Sequence, residues 1–352
     1  MKPLRDTVIR AGLEALYFSG AHRLLRPVAA GTGVIFMLHH VRPARGDAFQ
    51  PNRHLEITPG FLDATLAHVR AGGLDIVTLD EARRRLVARD QARRFACFTF
   101  DDGYRDNRDH ALPVMRAHGA PFTVYVASDF AEGRGRLWWV ALERVLACAD
   151  AIEIERDGGA LRLATRDAEA KQAAFRLVHG WLRSLPDDRA VQDAVSRLCA
   201  RHGVDDAAIA RELCLSWDEL KAFAADPLVA IGAHTLSHCN LARESEADAA
   251  REMADSRARI EAAIERPVSH FAYPYGDRNA AAAREFALAA RLGFATAVTT
   301  RPGMLFAESG EHLTALPRVS LNGNYQAARF LPVLTSGAAC ALWNGFRRTD
   351  AA

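Results

Sequence analysis

Thiolate chemistry is the first thing this chain of 352 residues lacks. Its six cysteines (Cys97, Cys148, Cys199, Cys214, Cys239, Cys340) are scattered without a CxxC pair. That spacing excludes a thiolate zinc site and a compact disulfide framework, and it fits a reducing compartment. Long hydrophobic runs are missing too: Glu14, His22 and Arg23 interrupt the N-terminal segment, so no signal-peptide core or membrane span is read there. A cytoplasmic location is the expectation. Nor is there an excess of one charge. A formal net charge of +2 and a pI near 8.3 are too balanced for a dedicated nucleic-acid binder, although the arginines allow local basic patches. No internal repeat or low-complexity tract occurs beyond an alanine-rich patch at 280–290. An apolar content of 49% then leaves an ordinary globular chain, long enough for two domains or one large α/β barrel with insertions.

What is present alternates between strand and helix patterns. Val34 to Leu38, Phe95 to Phe100 and Phe122 to Ala127 are short apolar runs with β-branched and aromatic residues, and helical patterns fill 60–71, 79–90 and 106–118. The alternation predicts a largely parallel sheet or barrel with helices outside. From about 131 to 213 the character changes. Trp138 to Ala149, 168–185 and 187–202 read as helices, and Ile152 to Leu163 reads as a hairpin around Asp157-Gly158-Gly159, which together predict an inserted, mostly helical subdomain. The α/β pattern then resumes with a capping box at Ser216 and Glu219, strands at Leu228 to Ala233, Phe271 to Tyr273 and Phe294 to Val298, and helices at 244–265 and 279–291. Leu316 to Leu321 would close the sheet. The expected divisions are 1–32 (N-terminal helical segment), 33–130 and 214–325 (two parts of a barrel), 131–213 (insertion) and 326–352 (tail). In residues 4–25, Ile9, Leu13, Leu16 and Tyr17 form a stripe beside basic residues. It either packs on the protein's own core, the usual fate, or makes a peripheral contact with the cytoplasmic face of a membrane.

Two clusters carry chemistry. Thr99-Phe100-Asp101-Asp102-Gly103-Tyr104 sets adjacent carboxylates at the exit of an apolar strand, where two half-buried anions are costly unless a cation or a proton-transfer role compensates. His234-Thr235-Leu236-Ser237-His238 also leaves a strand directly. HxxxH alone is weak, and other acidic pairs exist at Asp187-Asp188 and Asp205-Asp206, but those lie in the polar insertion and read as solvated helix or turn positions. In an α/β barrel the strand exits share one face, where active sites form. Two imidazoles and one carboxylate would there make a three-ligand metal site with an open position for water.

In this order, TFDDGYRDN at 99–107, HTLSH at 234–238 and Tyr273-Pro274-Tyr275-Gly276 resemble the NodB-homology polysaccharide deacetylases, carbohydrate esterase family four. The resemblance covers about 33–130 and 214–320. It implies a distorted (β/α)7 TIM-like barrel and removal of N-acetyl, sometimes O-acetyl or formyl, groups from sugars. Carried over residue by residue, it makes Asp102, His234 and His238 the ligands of one divalent metal ion and Asp101 the general base. The chemistry of that donor set suits Zn²⁺ first, with Co²⁺, Ni²⁺, Mn²⁺ or Fe²⁺ as alternatives. The backbone N–H near Tyr104 would serve the oxyanion.

The chain departs from the common pattern twice. The late Leu-x-His motif is absent from Val319-Ser320-Leu321-Asn322, while Leu38-His39-His40-Val41 resembles the Tyr-His-x-Val motif of a circularly permuted subgroup that deacetylates poly-N-acetylglucosamine. That resemblance makes His39, matched in register, the acid, with His40 as the other candidate; the alternative, that one of the two caps the strand through a backbone hydrogen bond, applies better to His40. Ala272 stands where many members carry an arginine paired with the base. Arg318 either replaces it, since a guanidinium holds a carboxylate in a fixed fork, or is a surface arginine. Pro274 and Tyr275 either shape a substrate groove or pack in the core, and Trp138, Trp139 and Trp217 either stack on sugars or are buried. The expected function is a metal-dependent deacetylase acting on an N-acetylated sugar of a polysaccharide, oligosaccharide or glycolipid precursor. The alternatives are an O-acetyl, formyl or peptide amide hydrolase on the same fold, or an inactive carbohydrate-binding module.

Overall fold

A computed structural model describes residues 2–156 and 158–348. Among the described residues twelve strands form, in chain order: β1 (Gly33–Leu38), β2 (His40–Val41), β3 (Glu56–Ile57), β4 (Asp75–Ile76), β5 (Phe95–Phe100), β6 (Phe122–Val126), β7 (Ala151–Arg156), β8 (Gly159–Ala164), β9 (Val229–Ala233), β10 (His270–Ala272), β11 (Thr296–Pro302) and β12 (Leu316–Ser320). Seven of them, in the order β1-β12-β11-β10-β9-β6-β5, run parallel and close when β5 pairs with β1 over all six residues, from Gly33 with Phe95 to Leu38 with Phe100. The barrel is uneven. β9 and β10 share only the register pair Phe271 and Ala233, and the β11–β12 register slips between Val298 and Pro302. β4 occupies the edge of β5 at Phe95 and Ala96, and β6 takes over at Thr99 and Phe100.

Every residue of β1, β5 and β6 is buried, which is why these strands read as continuous apolar runs rather than alternating ones. Alternate residues nevertheless serve different surroundings. Val34, Phe36, Leu38, Phe98 and Val124 join the outer core under the helices, whereas Ile35, Phe95, Cys97, Tyr125, Ala272, Val298 and Leu316 form a separate cluster inside. The helix Leu79–Val87 contributes Leu79, Ala82 and Leu86 to that inner cluster and so plugs one end. Thr99, Asp101 and Arg318 continue the inner parity toward the strand exits.

Most expected elements form near their expected ends, with physical reasons for the differences. The helix expected over 79–90 stops at Val87, and Arg89 lies in the left-handed region at φ 50°. The segment 106–118 is a π turn, Asn107–Ala111, leading into helix Leu112–Ala117. The helix expected over 279–291 starts only at Ala283, after a turn in which Asp277 Oδ1 accepts from Asn279 N. β11 begins two residues later than expected and runs on to Pro302, and helix Asp206–Leu213 was not anticipated. Asp157 of the expected hairpin turn and residues 349–352 of the expected tail lie outside the described residues.

Between β6 and β9, helix Trp138–Cys148, the β7–β8 hairpin and helices Ala168–Leu182, Asp188–Arg201 and Asp206–Leu213 build their own apolar cluster around Leu142, Val145, Ile154, Val178, Leu198 and Ile209. Asp187 and Asp205 are N-caps, accepting from Ala190 N and Ala208 N, so those acidic pairs serve helix starts. At the N-terminus, helices Lys2–Phe18 and Ala21–Ala29 cross the barrel's outside. Leu13 and Leu16 are buried against Tyr325, Phe330 and Val333, with Ile9 and Tyr17 packed alongside, so the apolar stripe covers the protein's own core.

Candidate active site

The exit of β5 changes direction within two residues. Asp101 continues the strand and is buried inside the barrel, while Asp102 and Gly103 adopt φ 74° and 67°, turning the second carboxylate across the mouth. Four of the seven non-glycine residues with positive φ, Asp102, Thr235, His238 and Tyr275, lie in the loops that leave β5, β9 and β10. Left-handed backbone costs a non-glycine residue of order 1 kcal/mol or more, and such strain collects at functional sites. At Gly276, φ 55°, a Cβ would come within 2.6 Å of Thr300 N, so only glycine lets the β10 loop close on β11.

Asp102, His234 and His238 converge. Each offers one donor atom within 4.8 Å of the others, and Asp102 Oδ1 lies 3.5 Å from His234 Nε2 and 3.3 Å from His238 Nε2. The tautomer of His234 is fixed by its partner. Nδ1 faces the Ala272 carbonyl at 2.7 Å, which can only accept, so Nδ1 carries a hydrogen and Nε2 is the nitrogen turned toward Asp102, free to offer a lone pair as a metal ligand does. A buried carboxylate oxygen set among imidazole nitrogens is the arrangement that a cation between them would satisfy. Asp102 Oδ1 indeed has no hydrogen-bond partner although it is buried. The donor set therefore fits a divalent ion.

Asp101 stands beside this cluster with a different partner. Arg318 is fully buried, its Nη1 and Nη2 each 2.7 Å from one oxygen of Asp101, with Nε donating to Thr299 O at 2.8 Å and Nη1 to Thr99 Oγ1 at 3.1 Å. The surface reading of Arg318 is thereby excluded. Burial alone pushes the Asp101 carboxyl up, but the Arg318 guanidinium outweighs it and holds the group below its usual range. His39 leaves β1 with Nε2 3.9 Å from Asp101 Oδ2 and its side chain 18% exposed. Burial pushes its imidazole down, against the pull of Asp102 and Asp101, so the ring rests neutral near pH 7.

His40 does cap the strand end, but through a carboxylate rather than the backbone. Its Nδ1 lies 2.6 Å from Asp106 Oδ2, and Asp106 Oδ1 accepts from Val41 N. Its ring stacks 3.5 Å from that of Tyr104, while Asn107 Nδ2 donates to His39 O at 2.7 Å. Residues 104–107 of the TFDDGYRDN stretch therefore pin the β1 exit that carries His39. Arg105 adds a fork to Glu219 at 2.9 Å for both contacts, tying this loop to the capping box of helix Trp217–Ala224.

Pro274 follows β10 in the turn that leads to Tyr275, whose ring lies 5.2 Å from His238. Phe130 and Trp139 face His238 at 5.6 and 5.0 Å, and Trp139 Nε1 donates to Tyr104 OH. Trp138 Nε1 donates to Tyr275 OH at 3.0 Å. Both tryptophans are buried, as the packing reading has it, yet what they pack on is the site itself. Trp217 is elsewhere, with Nε1 3.4 Å from Glu132 Oε2. Sequence reasoning also missed Glu252. From helix Glu246–Ile264 its Oε2 accepts from Leu236 N and Ser237 N at 2.9 and 3.0 Å, and its Oε1 accepts from Ser237 Oγ. It holds the HTLSH loop from below, and one glutamate in a charged helix gives no signal of that.

A closed parallel barrel whose strand exits gather two carboxylates and three histidines has the layout of an α/β-barrel enzyme. The sequence model of the polysaccharide deacetylase family matches residues 88–297, and the chain belongs to that family. The fold is shared with solved structures. Streptococcus pyogenes deacetylase PplD, in complex with acetate, is 18% identical with a TM-score of 0.54, covering 83% of this chain and 92% of that one. IcaB from Ammonifex degensii is 17% identical with a TM-score of 0.51, covering 86% and 97%. No curated protein matches by sequence.

Proposed function

We propose that this chain is a metal-dependent hydrolase that removes an N-acetyl group from a sugar of a polysaccharide, oligosaccharide or glycolipid precursor. The observation that carries the reading is the buried, unpartnered Asp102 Oδ1 between two imidazole nitrogens. Asp102, His234 and His238 would hold the ion, Zn²⁺ first among the candidates. A divalent ion there supplies Lewis-acid polarisation of the acyl carbonyl and a more acidic water. The chain's own groups do the rest. Asp101, ionised and oriented by Arg318, accepts a proton from the attacking water. Tyr104 N–H donates to the oxygen that gains charge as the carbonyl carbon becomes tetrahedral. His39 rests neutral, takes up the proton that Asp101 accepted, its Nε2 being 3.9 Å from Asp101 Oδ2, and delivers it to the departing amine nitrogen, which would otherwise leave as an amide anion. Pro274 and Tyr275 form one wall of the approach. The products are acetate and a free amino sugar.

The Asp101–Arg318 pair favours an enzyme over an inactive binding module, because a purely structural ion site has no use for an oriented carboxylate that does not coordinate. The test is calorimetric Zn²⁺ titration paired with mass spectrometry of acetate loss from N-acetylated oligosaccharides and lipid-linked sugars. The wild type should bind one ion and release acetate, whereas Asp102→Asn should lose both. Acetate release that persists in Asp102→Asn after chelation would refute the assignment.

A further inference from the structure

The described surface carries eight large exposed hydrophobic side chains, and seven of them, Val8, Phe18, Leu24, Val28, Leu342, Trp343 and Phe346, lie on the two N-terminal helices or in and just after helix Ala338–Trp343. These segments meet in space. Gly337, at the start of the C-terminal helix, approaches helix Ala21–Ala29 so closely that a Cβ would come within 2.1 Å of Ala29 O. Val28, Phe346, Arg347 and Arg348 together line one cavity of about 130 Å³. Leu24 is 82% exposed one turn before Val28, and Phe346, 53% exposed, follows Leu342 by four residues. The stripe that faces the core, Leu13 and Leu16, is a different one. An apolar cluster on this scale is more than the scattered surface hydrophobics of a monomer.

Charge says what covers it. Arg347 and Arg348 line the same cavity as Val28 and Phe346, while Arg23 and Arg26 of helix Ala21–Ala29 line a second cavity with His22 and Arg94. Of the acids on these segments, Glu14 is taken by Arg329, and Glu308 makes only a long, exposed pair of 3.8 Å with Arg348 that a lipid phosphate can displace. We propose that this face docks on an anionic lipid bilayer, with Leu24, Val28, Trp343 and Phe346 in the headgroup boundary and the arginines on lipid phosphates. A second copy of the chain is the poorer occupant, because a two-fold contact would press two arginine-bearing faces together. Arg347 and Arg348 also line a cavity of about 530 Å³ that reaches Tyr275, so the face is continuous with the wall beside His238. The inference goes beyond the proposed reaction and is read out by binding alone.

The full chain is sedimented with sucrose-loaded vesicles of phosphatidylcholine alone or mixed with phosphatidylglycerol. Binding should be at least about tenfold stronger to the anionic vesicles, and Arg347→Gln with Arg348→Gln should weaken it about thirtyfold, at roughly 1 kcal/mol per arginine. Leu24→Ser with Phe346→Ser should weaken it more than about tenfold, and Leu24→Ser alone should weaken it while leaving the urea midpoint in place, since Leu24 is 82% exposed. Equal partitioning into both vesicle types overturns the proposal. So does a wild-type dimer, measured by light scattering, that the Leu24/Phe346 variant converts to monomer.

Discussion

Replacing Arg318 with Met deletes the cation that balances Asp101 inside the barrel. The guanidinium makes four contacts of 2.7–3.1 Å, two to the carboxylate and one each to Thr299 O and Thr99 Oγ1. Asp101 is 1% exposed, so water cannot replace them. Breaking one partner out of a buried pair costs about 3–5 kcal/mol, far above the roughly 0–1 kcal/mol of an exposed pair. The pH dependence separates this cause from lost packing. In the wild type the Asp101 carboxyl is held low, so its contribution is present above the unfolded carboxylate pKa and is lost as pH falls through the folded one. In Arg318→Met the main opposition to burial is gone, and the group rises. The penalty is then largest near pH 7 and shrinks as acid neutralises the carboxyl. Urea unfolding at about pH 7 and about pH 5 measures both, and Asp101→Asn combined with Arg318→Met should recover most of the loss. A penalty under about 1 kcal/mol that does not change with pH would refute the reasoning.

Three further outcomes are expected. His39→Ala should lower hydrolysis of an N-acetyl sugar by about 10²–10⁴ in kcat while sparing an activated acetate ester, whose leaving group needs no proton, as paired steady-state assays would reveal. Glu252→Ala frees the Leu236 and Ser237 amides and should weaken metal affinity about 10–100-fold in chelator competition, with activity returning at saturating metal. Glu219 is held down to about 2, first by its hydrogen bonds from Arg105, then by the Ser216 N–H and Arg108. The stability lost in Glu219→Gln should therefore be full above the ordinary carboxylate range and vanish as the wild type is titrated down toward pH 2, followed by thermal melts across that window.

The barrel was legible because parallel strands buried on both faces leave unbroken apolar runs, as in Phe95–Phe100, and because glycine follows where the chain turns. Asp102, His234 and His238 stood out by position, each just past such a run. Arg318 came into view through a departure from the resemblance, Ala272 standing where many members carry the arginine paired with the base, but sequence alone left it level with a surface arginine. What could not be read depends on the third dimension. Glu252 lies 15 residues from Ser237 in sequence and meets it only through the way its helix docks. Trp139 packs as expected, yet only the fold reveals that its neighbour is His238. The apolar stripe in the first helix was legible and points inward, whereas the exposed face needs residues from both ends of the chain and has no contiguous pattern to detect.

The four left-handed residues at the strand exits carry a practical warning. Asp102, Thr235, His238 and Tyr275 are the places where a glycine would relax the backbone, and idealising such positions is a standard route to a hardier protein. Here that route would erase a carboxylate, an imidazole and the aromatic wall beside them. An engineering campaign scored only on melting temperature would converge on an inert barrel, and a lower melting point in this chain is the mark of the intact one.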